Sequence, residues 1–378
     1  MTHYFDNAAT TRPLEEALHA YEDVCLTHFG NPSSRHKTGF DASDVLEESR
    51  AAILSALGVS KTHDLIFTSG ATEANNLALK GAAFCYQNRG KKILYSPIEH
   101  PSVLAPIAQL AERFGFEAIP LEVDQDGVVS LADLERKMGK DVILVSVMGV
   151  NNETGTIEPI AEIARIVHRF PKAFFHSDLT QAIGKIDMPC SDIDLFSFSA
   201  HKFGGMKGNG ALLCKKTMRF LPLLSGGEQE KGLRAGTVDV AGAKAMATAL
   251  SIAEKNKKAN LERMQTLRDS FVRKLLRIDD IVMNSPSGAS PYVIDFSLRT
   301  HKASVVVEAL SNRGFDVSSV SACSSKGEPS SHVLLAMKKD PRLAANPIRV
   351  SFLPSTREEE LDSFILALTK ILQEVRPL

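Results

Sequence analysis

An α/β fold with a largely parallel central sheet is what this sequence predicts, and three observations carry the prediction. Short apolar runs alternate with amphipathic stretches along the chain, the pattern of strands connected through helices. The chain has 378 residues, 44% of them hydrophobic, more than a single compact core accommodates, so a second lobe is expected. From about Gly242 the long polar helical stretch "AKAMATALSIAEKNKKANLERMQTLRDSFVRKLLR" separates the first series of elements from a shorter second one.

Taken in order, Pro13 suits a first helical turn, Leu14, Leu18, Tyr21 and Cys25 then fall on one helical face, and Gly30 can end the helix. That spacing predicts a buried Cys25. Strands are expected at Leu65–Thr68, Lys92–Ser96, Val142–Met148, Ala173–Asp178, Asp194–Ser199 and Gly210–Lys215, with helical segments between most of them. After the long helix come the apolar strand "YVIDFSL", a helix from about Ala303, a strand near Phe315, then "IRVSF" and a terminal helix, the makings of a smaller α/β lobe. The boundary is expected inside the long helix, giving a large domain of residues 15–255 and a small domain of residues 1–14 with 256–378.

Composition narrows the partners. With 44 basic against 45 acidic residues and no charge block, nothing marks a nucleic-acid or anionic-membrane surface. The N-terminus "MTHYFDNAATTRPLEE" lacks a basic segment followed by an apolar one, and no later run suits a bilayer span, so a cytoplasmic location is expected. Five scattered cysteines (Cys25, Cys85, Cys190, Cys214, Cys323), without a Cys-x-x-Cys pair, read as reduced thiols rather than metal ligands, and no metal site is expected.

Chemistry concentrates in "FSFSAHKFGGMKG", where Lys202 follows a strand beside Ser199 and His201 with glycines close behind. An isolated His-Lys pair is ordinarily a surface turn, but an amine that attacks a carbonyl needs a fixed position and a lowered pKa, which a strand end beside another cation supplies. "FFHSDLTQ" ends the preceding strand at Asp178, and parallel neighbours would bring Asp178 and Lys202 to one carboxyl edge of the sheet, where open α/β sheets bind ligands. A carboxylate for a pyridine nitrogen and a lysine for an aldehyde are the groups that pyridoxal phosphate needs. "FTSGATEANN" adds a turn and helix start with Ala71 and Thr72 that can cradle a phosphate, and "PIEHPSV" adds His100, able to stack on a ring.

In combination, "SGATEANN", "IEHPSV", "HSDLTQAIGK" and "SFSAHKFGGMKG" resemble the class V aminotransferase group of fold-type I pyridoxal-phosphate enzymes. The further stretches "YFDNAATT", "FGNPSSRH", "NNETGTIEPI" and "SGGEQEKGLRAGT" narrow the resemblance, which runs nearly end to end, to the NifS/IscS-type cysteine desulfurases. It implies that Lys202 forms a Schiff base with the cofactor, Asp178 holds the pyridinium nitrogen, Gln181 bonds the phenolic oxygen and His100 stacks on the ring. Thr72 with Ala71, Ser199 and His201 would bind the phosphate, joined by Thr237 from the second subunit of a homodimer. Asn152, Arg349 and Asn7 would hold the substrate, the guanidinium fork matching a carboxylate.

Cys323 decides which reaction this cofactor serves. It lies in the small-residue, Ser-rich "VSSVSACSSKGEPSSHVL", next to Lys326, the composition of an exposed loop rather than of a core. A free cysteine is more often a small buried residue, yet the resemblance to the family's longer active loop favours catalysis. The expected reaction takes L-cysteine to L-alanine: Lys202 moves the Cα proton, His100 assists as acid or base, and the Cys323 thiolate takes the sulfur as a persulfide for a sulfur-acceptor protein, an iron–sulfur scaffold or a thiolation protein. A selenocysteine lyase or cysteine sulfinate desulfinase is the alternative, and such enzymes need the thiol less. Departures from the family pattern stand at Val320, Gly204, Met206, Leu179 and Thr180, and the ending "LTKILQEVRPL" lacks the longer tail that docks a scaffold in IscS-like members, which leaves the acceptor open.

Overall fold

The computed structural model describes residues 2–319 and 330–377. After a short N-terminal strand β1 (His3–Tyr4), the chain lays down β2 (His63–Thr68), β3 (Lys92–Tyr95), β4 (Glu117–Pro120), β5 (Val142–Ser146), β6 (Phe174–Asp178), β7 (Leu195–Ser199) and β8 (Gly210–Lys215), with helices between most of them. These last seven form one sheet in the order β2-β8-β7-β6-β5-β3-β4. Neighbours from β4 to β7 are parallel, and β8 is antiparallel to both β7 and β2. Because β8 alone is reversed, β2 again points the same way as β7. The C-terminal ends of β2, β3, β5, β6 and β7 therefore open on one edge, the ligand edge of such sheets.

Both faces of this sheet are covered. Leu65, Phe67, Leu94, Phe196, Phe198 and Leu213 join one apolar cluster, while the alternate residues Ile66, Ile93, Leu195 and Leu212 join another on the opposite face. Every residue of β5 and β7 is buried, which is why "VILVS" reads as a near-continuous apolar run and the polar positions of "LFSFS" are small serines. The edge strand β4 has the opposite character, with both ends exposed, and carries too little apolar signal to be read from sequence.

A helix of 36 residues, Val240–Leu275, joins the two parts of the chain, about 54 Å long at the usual rise per residue. Met246 and Leu250 on its first half pack in the sheet's cluster, and Met264, Leu267, Phe271 and Leu275 on its second half pack in a separate one. That second cluster sits under an antiparallel sheet of β9 (Ile281–Met283), β10 (Ile294–Leu298), β12 (Ser318–Ser319) and β13 (Pro347–Val350), ordered β12-β13-β10-β9. The N-terminus packs here too, since β1 pairs in parallel with β11 (Phe315–Asp316) and Phe5 is part of the core.

One sequence expectation needs correction. The first helix runs Glu15–Thr27, and its buried stripe is Ala17 and Val24 with Leu14 and Tyr21 packed alongside. Leu18 and Cys25 lie one position off that stripe and are exposed. Small Ala17 is what meets the long helix, so the contact face is turned from the one that the larger side chains suggest. Of the glycines after Lys202, Gly204, Gly205 and Gly210 are needed for close packing: a Cβ on Gly210 would lie 2.5 Å from the Gly70 Cα and 2.6 Å from the Phe198 carbonyl oxygen. Gly204, at φ +89°, would place one 2.6 Å from the Leu14 side chain.

Candidate active site

At the ligand edge one cavity of about 320 Å³ is lined by Ala71, Thr72, His100, Asn152, Asp178, Gln181, Ser199, His201, Lys202 and Arg349. Ten residues named from sequence thus come together. Strand pairing explains the juxtaposition, because Asp178 ends β6, Ser199 ends the adjacent parallel β7, and one helical turn, Ala200–Lys202, follows directly. Gly210 pairs with Thr68 on one side and Ser199 on the other, which brings the turn before Ala71 against β7. The Ala71 N–H donates to Ser199 Oγ at 2.7 Å, leaving the serine's own proton free for an anion.

Asp178 is 3% exposed, and both of its oxygens are oriented: Oδ1 accepts from the Thr180 N–H at 2.9 Å and Oδ2 from Asn75 Nδ2 at 2.8 Å. Asn75, wholly buried one helical turn after Thr72, also donates to Ser102 Oγ at 2.9 Å and accepts from the Ser197 hydroxyl. Ser102 Oγ lies 2.8 Å from His100 Nδ1, and the Ser102 backbone N–H donates to the same nitrogen at 3.1 Å. A backbone N–H can only donate, so the neutral His100 ring carries its proton on Nε2. Burial, the largest influence, lowers the His100 pKa, so that the ring is neutral at pH 7. His201 is pushed down to about 4, by burial first and then by the neighbouring Lys202.

Lys202 Nζ donates to the carbonyls of Ala8 and Ala9 at 2.6 and 2.7 Å. Gln181 Nε2 shares the Ala8 carbonyl at 2.9 Å, and Gln181 Oε1 accepts from Lys185 Nζ at 3.1 Å. Arg349 reaches from β13 of the other sheet, its Nη2 donating to Asp6 at 2.8 Å and its Nη1 to the Asn152 carbonyl at 2.9 Å. Its buried Nε has no acceptor among the described residues, a donor in reserve.

Two named residues lie elsewhere, and a third is not among the described ones. Asn7 is buried outside the cavity lining, its amide donating to the Tyr4 and Ser351 carbonyls at 3.0 and 2.9 Å. Thr237 lines an open surface concavity with Leu223, Leu224 and Ala235. Cys323, together with Val320 and Lys326, lies outside the described residues. Conversely, sequence reading missed Asn75, Ser102, Asp6 and Lys185. Asn75 left a usable signal, three positions after Thr72 on the same helix, whereas Asp6 meets Arg349 only through the fold.

Residues 3–364 match the aminotransferase class-V family. The chain belongs to that family. A NifS/IcsS protein homolog from Lactobacillus delbrueckii subsp. bulgaricus is 40% identical over 375 residues, 98% of this chain and 97% of the other. A protein named cysteine desulfurase IscS from Dictyoglomus turgidum is 40% identical over 377 residues, 99% and 95% of the two chains. Among solved structures, a NifS-like protein superposes with a TM-score of 0.92 at 36% identity, over 99% of this chain and all of that one.

The class V cavity described above fits pyridoxal phosphate. Hydroxyl and imidazole donors at Thr72, Ser199 and His201 suit a phosphate, an oriented Asp178 suits a pyridinium nitrogen, and Lys202 suits an aldehyde. Gly210 lets the strand carrying this edge approach the Gly70 turn closely enough for both sets of donors to share one space.

Proposed function

We propose that Lys202 and Cys323 divide between them the chemistry of a pyridoxal-phosphate-dependent cysteine desulfurase. That activity is the one to which both the site and the end-to-end likeness to cysteine desulfurases point. The single observation that carries the residue assignment is the shared edge of β6 and β7, which sets an oriented carboxylate and a lysine in one cavity with an arginine that keeps a donor in reserve.

When bound, the cofactor supplies an electron sink for the substrate's Cα. Arg349 binds the substrate carboxylate, its plane held by Asp6 and the Asn152 carbonyl. Asp178, fixed by Asn75 and Thr180, keeps a proton on the pyridine nitrogen. Lys202, once free, takes the proton from Cα and returns one later, the Ala8 and Ala9 carbonyls holding its amine in place. His100 presents its Nε2–H as a hydrogen-bond donor toward the reacting groups, because Nδ1 is engaged by Ser102. The Cys323 thiolate attacks the substrate sulfur; the sulfur–sulfur bond forms as the carbon–sulfur bond breaks, and protonation of the carbon leaves alanine and a persulfide on Cys323.

The persulfide is then handed to an acceptor protein, an iron–sulfur scaffold or a thiolation protein. We assign Thr237 to the site of a second copy in a homodimer. Its segment exposes Leu221, Leu223 and Leu224, side chains that a partner surface would cover. A large domain of residues 15–255 would hold the cofactor, and a small domain of 1–14 with 256–378 would carry the Cys323 loop. The four described cysteines are free thiols, in keeping with a reducing cytoplasm, and no helix among the described residues is long and apolar enough to cross a membrane.

Mass spectrometry of the holoenzyme, quenched and alkylated after a single turnover with L-cysteine, tests the assignment. One added sulfur is expected on the peptide containing Cys323, and its appearance on another cysteine peptide would contradict the proposal.

A further inference from the structure

Lys185 closes the stretch "HSDLTQAIGK" and has no part in the reaction above. It is 5% exposed, and among the described residues the charged groups acting on it are cations, Lys202 and Arg349. Buried lysines ordinarily keep an acidic partner. A methionine would fill the same space without the cost of desolvating an amine, so a structural role alone does not account for the charge.

The hydrogen bonds show where it acts. Lys185 Nζ donates to Gln181 Oε1 at 3.1 Å, Gln181 Nε2 donates to the Ala8 carbonyl at 2.9 Å, and Lys202 Nζ donates to that same carbonyl at 2.6 Å. Lys185 and Lys202 also line a second cavity of about 270 Å³ with Arg12 and Tyr292, whose ring centroid lies 5.8 Å from Lys185 Nζ. The two amines are thus ends of one short chain of polar groups.

We propose that Lys185 is a positioning residue for Lys202 and Gln181: its amine holds the Gln181 amide with Nε2 toward Ala8, and its charge favours the neutral, proton-accepting form of Lys202. Like charges close together in a water-poor site disfavour each other's protonation. Burial, and then Lys202 and Arg349, bring Lys185 down to about 7, so its charge fades as pH rises through neutrality. The other titratable groups facing this space, His201, pushed down to about 4, and Tyr292, pushed up to about 12, are neutral at pH 7.

This inference rests on Lys202 carrying the cofactor, and the test separates the two. The visible absorbance of the cofactor–lysine linkage is titrated with pH in the wild-type holoenzyme, Lys185→Met and Lys185→Gln, and cofactor affinity is measured for each apoprotein. Loss of the like charge is expected to raise the titration midpoint by about one unit in both variants. Affinity is expected to fall several-fold in Lys185→Met and less in Lys185→Gln, which keeps an amide donor. An unmoved midpoint in either folded variant, or equal affinity in Lys185→Met and wild type, overturns the proposal. Lys202→Ala is the control: if it retains the linkage absorbance, the assignment of Lys202 fails instead.

Discussion

Arg50 and Lys185 are both cations withdrawn from water, and the protein surrounds them differently. Arg50 meets the buried Glu230 through two bonds, Nη2 to Oε1 at 2.8 Å and Nη1 to Oε2 at 3.0 Å, and also donates to the Leu65 carbonyl. Glu230 Oε2 in turn accepts from the Phe67 N–H of β2 at 2.8 Å. Against the effect of burial, these contacts raise the pKa of Arg50, so its charge is permanent. It pins a segment whose Glu230 and Lys231 hold positive φ angles of 48° and 59°, values that non-glycine residues rarely adopt. Lys185 has no such partner among the described residues and comes down to about 7. A paired buried charge fixes the backbone; one left among like charges stays titratable and can tune its neighbours.

Four substitutions sharpen this contrast. Lys202→Ala removes the reacting amine and should lower the rate of alanine formation by roughly 10³-fold or more while the visible absorbance of the linkage is lost, as steady-state assays and spectra would show. Glu230→Gln removes the buried counter-charge of Arg50, leaving it the exposed Glu47 at 3.1 Å, and should destabilise the fold by about 3 kcal/mol, read from denaturant unfolding. A null result there would mean that the pair is dispensable for the segment.

Glu158 offers a third case, a buried carboxyl with no cation beside it among the described residues. Its Oε2 accepts from the Val129 N–H at 3.0 Å while Oε1 has no partner, and burial raises its pKa to about 8. The folded state thus binds a proton that the unfolded state releases above its ordinary pKa of 4.5. Stability from this group is full below that value and declines as pH rises toward 8, by up to about 1.4 kcal/mol per pH unit. Glu158→Gln should flatten that decline in a series of melting curves. Least affected should be Cys25→Ser, an exposed helix position, where stability changes by less than about 0.5 kcal/mol and turnover is unchanged.

The site was legible wherever its residues follow strands that share an edge. Asp178 and Lys202 sit in consecutive elements, so parallel pairing alone predicts their meeting. Thr72 could be placed too, although the reversal of β8 that turns β2 into alignment left no mark in the sequence. Groups that act through a second residue were hidden. Asn75 and Ser102 look like ordinary helix-start polar residues until their hydrogen bonds to Asp178 and His100 are seen. The Cys25 reading failed because helical spacing weighs large apolar residues, whereas packing on the long helix selects small Ala17.

The most direct test of the account is the stoichiometry of the reaction. The cofactor-loaded protein is incubated with L-cysteine and a thiol reductant, alanine and sulfide are quantified together, and the experiment is repeated with Cys323→Ala. Equal amounts of the two products, both lost in the variant while its visible absorbance persists, are the predicted result. Full alanine formation by Cys323→Ala, or none by the wild type, would contradict it.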